Sequence, residues 1–540
     1  MSSVTTAAVG AGDPGYERKV DLNKPMGPTG LLLFGAVMAL GLFFTAYSIF
    51  SEVEAAGAKP TSILPYLLLA VALLVALGFE FVNGFHDTAN AVATVIYTRA
   101  LPPQIAVVWS GFFNFLGVSL STGLVAYNIV SLLPIELILS ITSNAGFAMV
   151  FSMLIAAIIW NLGTWWLGLP ASSSHTLIGS IIGVGIMNAL LHGRTAYSGV
   201  NWGEATKIGY ALLLSPLFGF GAAALLLLLM KLVIRKKELY SEPKTNGAPP
   251  IWIRGLLILT CTLVSFFHGS NDGQKGMGLI MLILIGTVPT AFALNRAVEP
   301  SKVAHFTEVS QAAAKIIDAK GAGYNVIGNP RPAVTTYVAS HEFTDGTYPS
   351  LAVLIDGIQK EVAAYGSIQK IPADVASNTR NDMYLTSEAI KVLFKDKQSE
   401  LSADEKATLT KYQGMLNAST RYIPTWVKIA VALALGLGTM IGWKRIVVTV
   451  GERIGKTHLT YGQGAAAELV AAGTIGLADG FGLPVSTTHV LSSGVAGTMA
   501  ANGSGIQWST LRSIAMAWVL TLPCAMAISA TLFFIFSKVF

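Results

Sequence analysis

Two stretches of the sequence share one unusual pattern: "GLPASSSHTLIG" at residues 168–179 and "GLPVSTTHVLSS" at residues 482–493. Each begins with Gly-Leu-Pro and continues, after one further residue, with three hydroxyl side chains and a histidine. Each also interrupts strongly apolar sequence. Because polar backbone is stable at membrane depth only where it faces protein or a water-filled cavity, this pattern indicates two breaks in the helices of a membrane protein.

The composition agrees with that class of protein. Of the 540 residues, 53% are hydrophobic and only 12% are charged, and the mean hydropathy is +0.60. Several apolar runs reach the roughly 20 residues that a helix needs to cross a bilayer. Others, such as 256–267 and 490–500, contain about a dozen residues and are interpreted as half-helices or hairpin arms. We therefore expect an all-α polytopic membrane protein.

Two basic segments set the predicted orientation. Residues 231–254 contain six basic and two acidic side chains, and residues 444–456 contain four basic and one acidic. The positive-inside rule places both segments in the cytoplasm. Since basic residues concentrate at such membrane flanks, the net charge of +6 indicates a lipid bilayer as partner and no nucleic acid. Cys261 and Cys524 lie in apolar runs, which favours burial over a disulfide framework.

The chain divides into membrane parts and one soluble insert. Residues 295–421 have mixed charge and no membrane-length apolar run, and "SADE" at 402–405 has the spacing of a capping box that begins a helix. We expect a mainly helical, periplasmic insert without chemistry of its own, since no catalytic site is visible in it. The predicted divisions are a flexible polar tail (1–30), a first membrane repeat (31–234), a basic cytoplasmic linker (235–254), the start of a second repeat (255–294), the insert (295–421) and the remainder of the second repeat (422–540).

A second pair of matching stretches indicates an internal duplication. "GFHDTANAVATVI" begins at Gly84 and "GSNDGQKGMGLI" begins at Gly269, which aligns Asp87 with Asp272. The Gly-Leu-Pro stretch follows 84 residues later in the first half and 213 residues later in the second, or 86 after removal of the 127-residue insert. The loops after these two aspartate stretches are predicted on opposite membrane faces, so we expect inverted repeats. In such folds, broken helices or re-entrant hairpins meet near the bilayer midplane and form the substrate site.

The hydroxyl side chains are candidates for binding an oxyanion. A hydroxyl residue just before a helix can cap it, and the helix beyond offers free N–H groups and the positive end of its dipole. Two such tips could bind one tetrahedral oxyanion from opposite sides. Packing between membrane helices also uses small hydroxyl residues, but the duplication favours a functional role. The candidate substrate-binding hydroxyls are Ser172, Ser173, Ser174, Ser486, Thr487 and Thr488.

The aspartate stretches place carboxylates inside apolar sequence. Such a residue costs about 3 kcal/mol to insert and is by default a functional candidate. Asp87 and Asp272 would bind a cation or carry a proton, and Glu80 lies two helical turns before Asp87. Lys275 could contact an anion or form a buried Asp–Lys pair that merely joins helices. Neutral candidates for the substrate site beside them are Asn90, Asn271 and Gln274.

Four of the eight histidines lie in or beside these stretches: His86, His175, His268 and His489. Protonation near neutral pH would suit a proton-coupled carrier. His175 and His489 could instead donate hydrogen bonds that brace the hairpin tips. The sequence leaves the roles of His175, His268 and His489 open.

At these four stretches the chain resembles the Pit family of inorganic phosphate transporters. The family signature in each half is a Gly-Ala-Asn-Asp-like stretch and a Pro-x-Ser-Ser/Thr-Thr-His-like stretch, represented here by "GFHDTANA", "PASSSH", "GSNDGQKG" and "PVSTTH". The resemblance covers essentially every membrane segment, and it is strongest to the bacterial low-affinity, proton-coupled type that carries neutral metal–phosphate complexes.

This resemblance implies a homodimer in the bacterial inner membrane. It also implies that the hydroxyls of both Gly-Leu-Pro stretches, together with four residues of the aspartate stretches, serve phosphate and cation binding; those four are Asp87, Asn90, Asp272 and Gln274. His86 stands where sodium-coupled relatives usually have Asn. That departure fits proton coupling, or binding of a metal–phosphate complex through a His/Asp pair, better than a sodium site.

The sequence thus predicts a phosphate symporter that is not an enzyme and needs no cofactor. Phosphate, free or complexed with a divalent metal such as Mg²⁺, is expected between the hydroxyl-rich tips. Asp87 and Asp272, with Glu80 and His86, are expected to take up the coupling proton or cation, and the two aspartates are the candidate metal ligands. The alternatives are a carrier of another oxyanion such as sulfate, a sodium-coupled carrier, a passive channel and an intramembrane Ser/His hydrolase. Two symmetric sites argue against the hydrolase, which needs one asymmetric centre.

Overall fold

The chain is helical throughout the part that the structure, a computed structural model, describes: residues 22, 27–57, 64–243, 247–298, 303–321, 326 and 328–539. Those residues contain no β-strand. Most of the predicted N-terminal tail lies outside the described residues, and the first helix begins at Pro28. The α-helices are α1 (Pro28–Ala55), α2 (Leu64–Tyr97), α3 (Pro103–Leu120), α4 (Leu124–Val130), α5 (Ile135–Leu139), α6 (Asn144–Trp166), α7 (Ser173–Leu191), α8 (Trp202–Val233), α9 (Ile251–Thr287), α10 (Pro289–Phe292), α11 (Val303–Lys320), α12 (Arg331–Ser340), α13 (Thr347–Tyr365), α14 (Ala373–Leu393), α15 (Ala403–Thr420), α16 (Thr425–Thr439), α17 (Lys444–Val448), α18 (Tyr461–Gly480), α19 (Thr487–Asn502) and α20 (Trp508–Val539).

Eight of these helices are long and apolar enough to cross a membrane. They are α1, α2, α3, α6, α7, α8, α9 and α20. Their lipid-facing sides carry large exposed apolar residues; Leu32 and Leu217, for example, are 74% and 68% exposed. The predicted all-α polytopic membrane protein is confirmed.

The second aspartate stretch lies inside one continuous helix. Helix α9 runs for 37 residues through the whole of "GSNDGQKG", so the half-helix predicted for residues 256–267 is wrong. The stretch contains no proline, and every intrahelical hydrogen bond can form there. Its glycines let neighbouring helices approach closely: a Cβ on Gly269 would lie 2.2 Å from the Asn114 carbonyl oxygen of α3. Neighbouring helices therefore bury the polar side chains, and α9 can remain unbroken at membrane depth.

The two Gly-Leu-Pro stretches, by contrast, do break the helices. They connect α6 to α7 and α18 to α19, and they form what we call the first tip (168–175) and the second tip (482–489). Each tip begins with a glycine in the left-handed conformation, with φ +67° at both Gly168 and Gly482. A residue with a Cβ is strained at that angle, so glycine is required there. Each tip and its two flanking helices form a hairpin, as the sequence predicted.

Helices of each half of the membrane region pack against helices of the other half. Helix α7 packs against α20, and its counterpart α19 packs against α8. Likewise α3 packs against α9, and α16 packs against α2. This pattern agrees with the duplication that the sequence predicts. The opposite orientation of the halves in the membrane remains a prediction.

The insert is a helical body formed by α11–α15 that docks on the membrane region. Its Asn381 side chain donates to the Leu139 carbonyl oxygen (3.1 Å), and Lys391 Nζ lies 3.1 Å from Glu204 Oε1 at the start of α8. The predicted capping box begins α15: Ser402 Oγ accepts from Glu405 N, and Glu405 Oε2 accepts from Ser402 N. Burial lowers the pKa of Arg380 to about 10 at this junction. The membrane face on which the insert lies remains a prediction.

Candidate functional site

A serine caps the N-terminus of each helix that follows a tip, α7 and α19. Ser172 Oγ accepts from the backbone N–H of His175 (3.2 Å), and Ser486 Oγ accepts from the backbone N–H of His489 (3.1 Å). The hydroxyl pattern predicted both caps. The first N–H groups of any helix lack a carbonyl partner earlier in that helix, which is the property that lets a helix N-terminus bind an anion.

The two tips are in direct contact. Ser174 Oγ donates to the Val485 carbonyl oxygen over 3.0 Å, and the rings of His175 and His489 have centroids 4.4 Å apart. Trp518 of α20 joins both tips, because its Nε1 donates to the Pro170 carbonyl oxygen (2.9 Å) and its ring stacks on His489. The positive ends of two helix dipoles are therefore brought together in the protein interior.

Each tip is also joined to a charged side chain of the other half. Thr488 Oγ1 of the second tip donates to Asp87 Oδ1 on α2 (2.7 Å). Lys275 Nζ on α9 donates to Ser174 Oγ of the first tip and lies 2.5 Å from Asp272 Oδ1. All five side chains are at least 98% buried. Hydroxyls of the Gly-Leu-Pro stretches and carboxylates of the aspartate stretches therefore lie in one cluster.

Asp87, His268 and Asp272 form a group that could hold a metal ion. One ligand atom of each lies within 4.8 Å of the others, and all three side chains are buried. His268 Nδ1 is held by Asn114 Oδ1 at 2.8 Å, which leaves Nε2 facing Asp272 Oδ2 at 3.6 Å. Neither of these two atoms has a hydrogen-bond partner among the described residues. Two carboxylates and one imidazole are a ligand set for a divalent cation.

Glu80 and His86 lie on the same helix as Asp87. His86 contacts Asp87 through Nδ1 (3.1 Å) and Thr164 Oγ1 through Nε2 (3.1 Å). Glu80 Oε1 has no hydrogen-bond partner among the described residues and faces Gly276, where a Cβ would lie 2.3 Å from it. The structure thus places Glu80 against α9 and His86 beside the candidate metal ligands.

Asn271 and Gln274 brace the second tip and α4. Asn271 Nδ2 donates to the Leu483 carbonyl oxygen (3.1 Å). Gln274 Nε2 donates to Asp479 Oδ1 (2.6 Å), and Gln274 Oε1 accepts from Val125 N (2.9 Å). Their predicted role in binding substrate stays a prediction. The side chain of Asn90 lies outside the described residues.

Ser173 and Thr487 occupy equivalent positions at the first residue of α7 and of α19. Ser173 Oγ accepts from Asn161 Nδ2 over 3.3 Å. Thr487 Oγ1 is buried and has no hydrogen-bond partner among the described residues. An unpaired buried hydroxyl is unfavourable, so Thr487 is suited to a ligand.

Three polar side chains of this region lie outside the four motifs. Asn161 holds Ser173, and Asp479 accepts from both Ser270 Oγ (2.6 Å) and Gln274. Glu468 is fully buried and accepts hydrogen bonds from Thr94 of α2 and Thr260 of α9. The rule that an acid in an apolar run is a functional candidate would have selected Glu468 and Asp479 as it selected Asp87.

Two hairpin tips that meet around buried charges, in a bundle of membrane-spanning helices, are typical of a transporter. Comparison with known proteins specifies it further. Residues 83–529 match the sequence profile of the phosphate transporter family, so the chain belongs to that family, as the four motifs indicated. It is a multi-pass plasma-membrane transporter and not an enzyme.

Curated relatives match over most of their length. The low-affinity inorganic phosphate transporters PitA and PitB of Escherichia coli (strain K12) are each 44% identical, and each match covers 87% of this chain and 96% of the relative. The probable low-affinity inorganic phosphate transporter of Bacillus subtilis (strain 168) is 29% identical, covering 88% and 99%. A solved structure titled "The sodium-dependent phosphate transporter" aligns with 88% of this chain and all of its own, with a TM-score of 0.49 and 22% identity.

Proposed function

We propose that this protein is a symporter that imports inorganic phosphate together with protons by alternating access. The observation that carries the proposal is the contact between two capped helix N-termini beside a buried lysine and two buried carboxylates. Names of the curated relatives support phosphate as the substrate. The duplicated, tip-to-tip arrangement supports a carrier in which either half can open.

Phosphate would bind where the first and second tips meet. The first-turn N–H groups of α7 and α19, the Thr487 hydroxyl and the Lys275 ammonium are all donors. Phosphate would replace Ser174 as the partner of Lys275. Hydrogen phosphate can also donate a hydrogen bond to a carboxylate such as Asp87, whereas fully ionised sulfate cannot. This difference favours phosphate over sulfate.

The charges at the junction require a cation to accompany the anion. In their ionised forms, Asp87, Asp272 and Lys275 sum to a charge of −1, and all three are buried. A phosphate dianion would bring the sum to −3, which is strongly unfavourable in a low-dielectric interior. One divalent cation at Asp87, His268 and Asp272 restores −1, and one proton completes neutrality. A metal–phosphate complex with a proton therefore fits these residues.

The membrane potential acts in the same direction. Moving a dianion into a negative cell costs about 2.3 kcal/mol per charge for each 100 mV. Cotransport of a divalent cation and a proton removes this cost.

The Asp272–Lys275 pair also fits a second interpretation, in which it only joins parts of the fold. In the described structure Lys275 Nζ donates hydrogen bonds to both Asp272 and Ser174. A purely structural pair would make phosphate affinity insensitive to Lys275. A binding role makes Lys275 a determinant of affinity.

Uptake of radiolabelled phosphate into proteoliposomes tests the proposal. Separate gradients of protons, sodium and Mg²⁺ should show uptake driven by an inward proton gradient, increased by Mg²⁺ and unaffected by sodium. Uptake that follows the sodium gradient would contradict proton coupling, and equal competition by sulfate would contradict the substrate. Absence of uptake by folded protein would overturn the whole proposal.

Two controls separate the remaining alternatives. If the protein is a carrier, phosphate trapped inside the vesicles should accelerate the entry of labelled phosphate from outside. A passive channel would show no such counterflow. Chemical crosslinking in native membranes tests the homodimer that the family resemblance implies.

A further inference from the structure

One side chain of the opposite half holds the first carbonyl group of each tip. Thr449 Oγ1 donates to the Gly168 carbonyl oxygen over 2.7 Å, and Asn128 Nδ2 donates to the Gly482 carbonyl oxygen over 2.8 Å. Thr449 begins the single π-helical turn after α17, and Asn128 lies in α4. No sequence motif selected either residue, yet they make equivalent contacts at the two equivalent glycines.

Short helices with these residues hold the tips on two different sides. At the first tip, Arg445 Nη1 of α17 donates to the Trp166 carbonyl oxygen (2.7 Å). At the second tip, a Cβ on Gly482 would lie 2.7 Å from Asn128 Nδ2 and 3.1 Å from Leu124 Cβ of α4. Helix α17 belongs to the basic segment 444–456, which is predicted cytoplasmic. Arg99 lies in the short loop between α2 and α3, and the positive-inside rule places this loop in the cytoplasm. Helix α4 follows α3, which crosses the membrane from that loop, so α4 is expected near the outer face.

Both contacts are present at once, and the site between them is closed. Asp87, Asp272 and Lys275 are each no more than 2% exposed. Phosphate would reach them if one tip moved away from its short helix. The Asn128 and Thr449 contacts are the side-chain hydrogen bonds that such a movement must break at the tip glycines.

We propose that Asn128 and Thr449 are the outer and inner gate residues of the transport cycle. Breaking the Asn128–Gly482 hydrogen bond would open the site to the outside, and breaking the Thr449–Gly168 hydrogen bond would open it to the cytoplasm. This inference rests on the proposed transport function. A single neutral hydrogen bond suits a gate, because its loss changes the ratio of open to closed protein about fivefold and leaves the fold intact.

The test measures access to the site from each side of the membrane. A reporter cysteine replaces Ser173 in a chain whose two native cysteines, Cys261 and Cys524, are changed to alanine. A membrane-impermeant thiol reagent is then applied to right-side-out and to inside-out vesicles. We expect Asn128→Ala to increase the labelling rate about fivefold from the outside only, and Thr449→Val to increase it about fivefold from the inside only.

Matched variants control for general loosening. Thr474→Val removes a hydroxyl that donates to Val470 O of its own helix, and Asn502→Ala removes an amide that donates to Ser504; both should label like the parent. Thr449→Ser keeps the hydroxyl and should also behave like the parent. If Asn128→Ala does not fold, Asn128→Asp replaces it, since an ionised carboxylate cannot donate to Gly482.

Labelling that rises equally from both sides, or does not rise, would overturn the gate assignment. The labelling rate does not depend on phosphate uptake. Uptake is measured separately in Asn128→Ala and Thr449→Val chains that keep Ser173. Loss of the side-selective effect while these chains take up phosphate refutes the gates alone, and absence of uptake by the parent chain refutes the transport proposal alone.

Discussion

One pair of equivalent positions in the two halves differs in charge. Three residues after Asp87 and Asp272 stand Asn90 and Lys275, respectively. Lys275 is fully buried and contacts Ser174 of the first tip, whereas Thr488, the counterpart of Ser174, donates to Asp87. One buried cation therefore makes the two sides of a duplicated site chemically different, which suits a substrate that carries both an anion and a cation.

The Asp87 carboxylate should be essential for transport. Asp87→Asn keeps the size of the side chain but removes its charge, so the Thr488 and His86 contacts lose a charged partner. Charge-assisted hydrogen bonds contribute about 1.5–3 kcal/mol, and we expect phosphate uptake in proteoliposomes to fall roughly tenfold or more. Asp356→Asn, in an exposed ion pair of the insert, is the control. Normal uptake by the Asp87 variant would contradict its placement in the site.

The Lys275–Asp272 pair separates stability from binding. Lys275→Met leaves Asp272 buried without its partner, which should lower the free energy of unfolding by roughly 3–5 kcal/mol. In Lys275→Met combined with Asp272→Asn, most of that loss should be recovered, while phosphate uptake stays abolished. Thermal unfolding in detergent and uptake are measured on the same preparations. Full uptake by the stable double variant would show that the pair only joins helices.

The duplication in the sequence selected the hydroxyls and the two aspartates as candidates, and His86 was selected because it departs from the family pattern. It could not select His268 as a third candidate metal ligand, since that depends on α2 and α9 lying side by side. It also could not assign Asn271 and Gln274 to bracing contacts with the second tip and α4.

Helix α9 shows why elements are harder to predict than residues. The polar stretch "GSNDGQKG" interrupts its apolar sequence and therefore predicts a break in the helix. In the structure the helix continues through this stretch without a break. The interruption is buried by α2, α3 and α18, and these contacts decide that the helix continues. Proline, present in both tips and absent from "GSNDGQKG", was the better guide.

Close packing against α9 gives a test within one helix. A Cβ on Gly269 would lie 2.2 Å from a backbone oxygen of α3, whereas Gly255 has nothing within 4 Å of the same position. Gly269→Ala should therefore destabilise the protein by about 1–3 kcal/mol, and Gly255→Ala should leave it unchanged or slightly more stable. Thermal unfolding in detergent compares the two. Equal melting temperatures would contradict the close approach of α3 and α9.

The insert shows what only the whole molecule determines. Its position in sequence and the capping box of α15 were predicted, and its helical character is confirmed. Its docking was not predictable, because Arg380, Asn381 and Lys391 meet partners more than 150 residues away. The insert is thus a packed part of the protein and not a loosely attached loop.

Docking of the insert should depend on Lys391, which lies between Glu204 of the membrane region and Glu388 of its own helix. Lys391→Gln should weaken this junction by about 1 kcal/mol and make the insert more sensitive to limited proteolysis, because its side chain is only 30% exposed. Lys360→Gln, in a pair confined to the insert, is the matched control. Identical proteolysis of both variants would contradict a docking role.

Two helix N-termini, one from each half, are expected to bind a single phosphate. The most direct measurement is an experimental structure of the protein with phosphate and Mg²⁺ in a lipid nanodisc. We predict density for one phosphate within hydrogen-bonding distance of the first turns of both α7 and α19, next to Thr487 and Lys275. Phosphate bound elsewhere, or at one tip with the other tip distant, would contradict binding between the two tips.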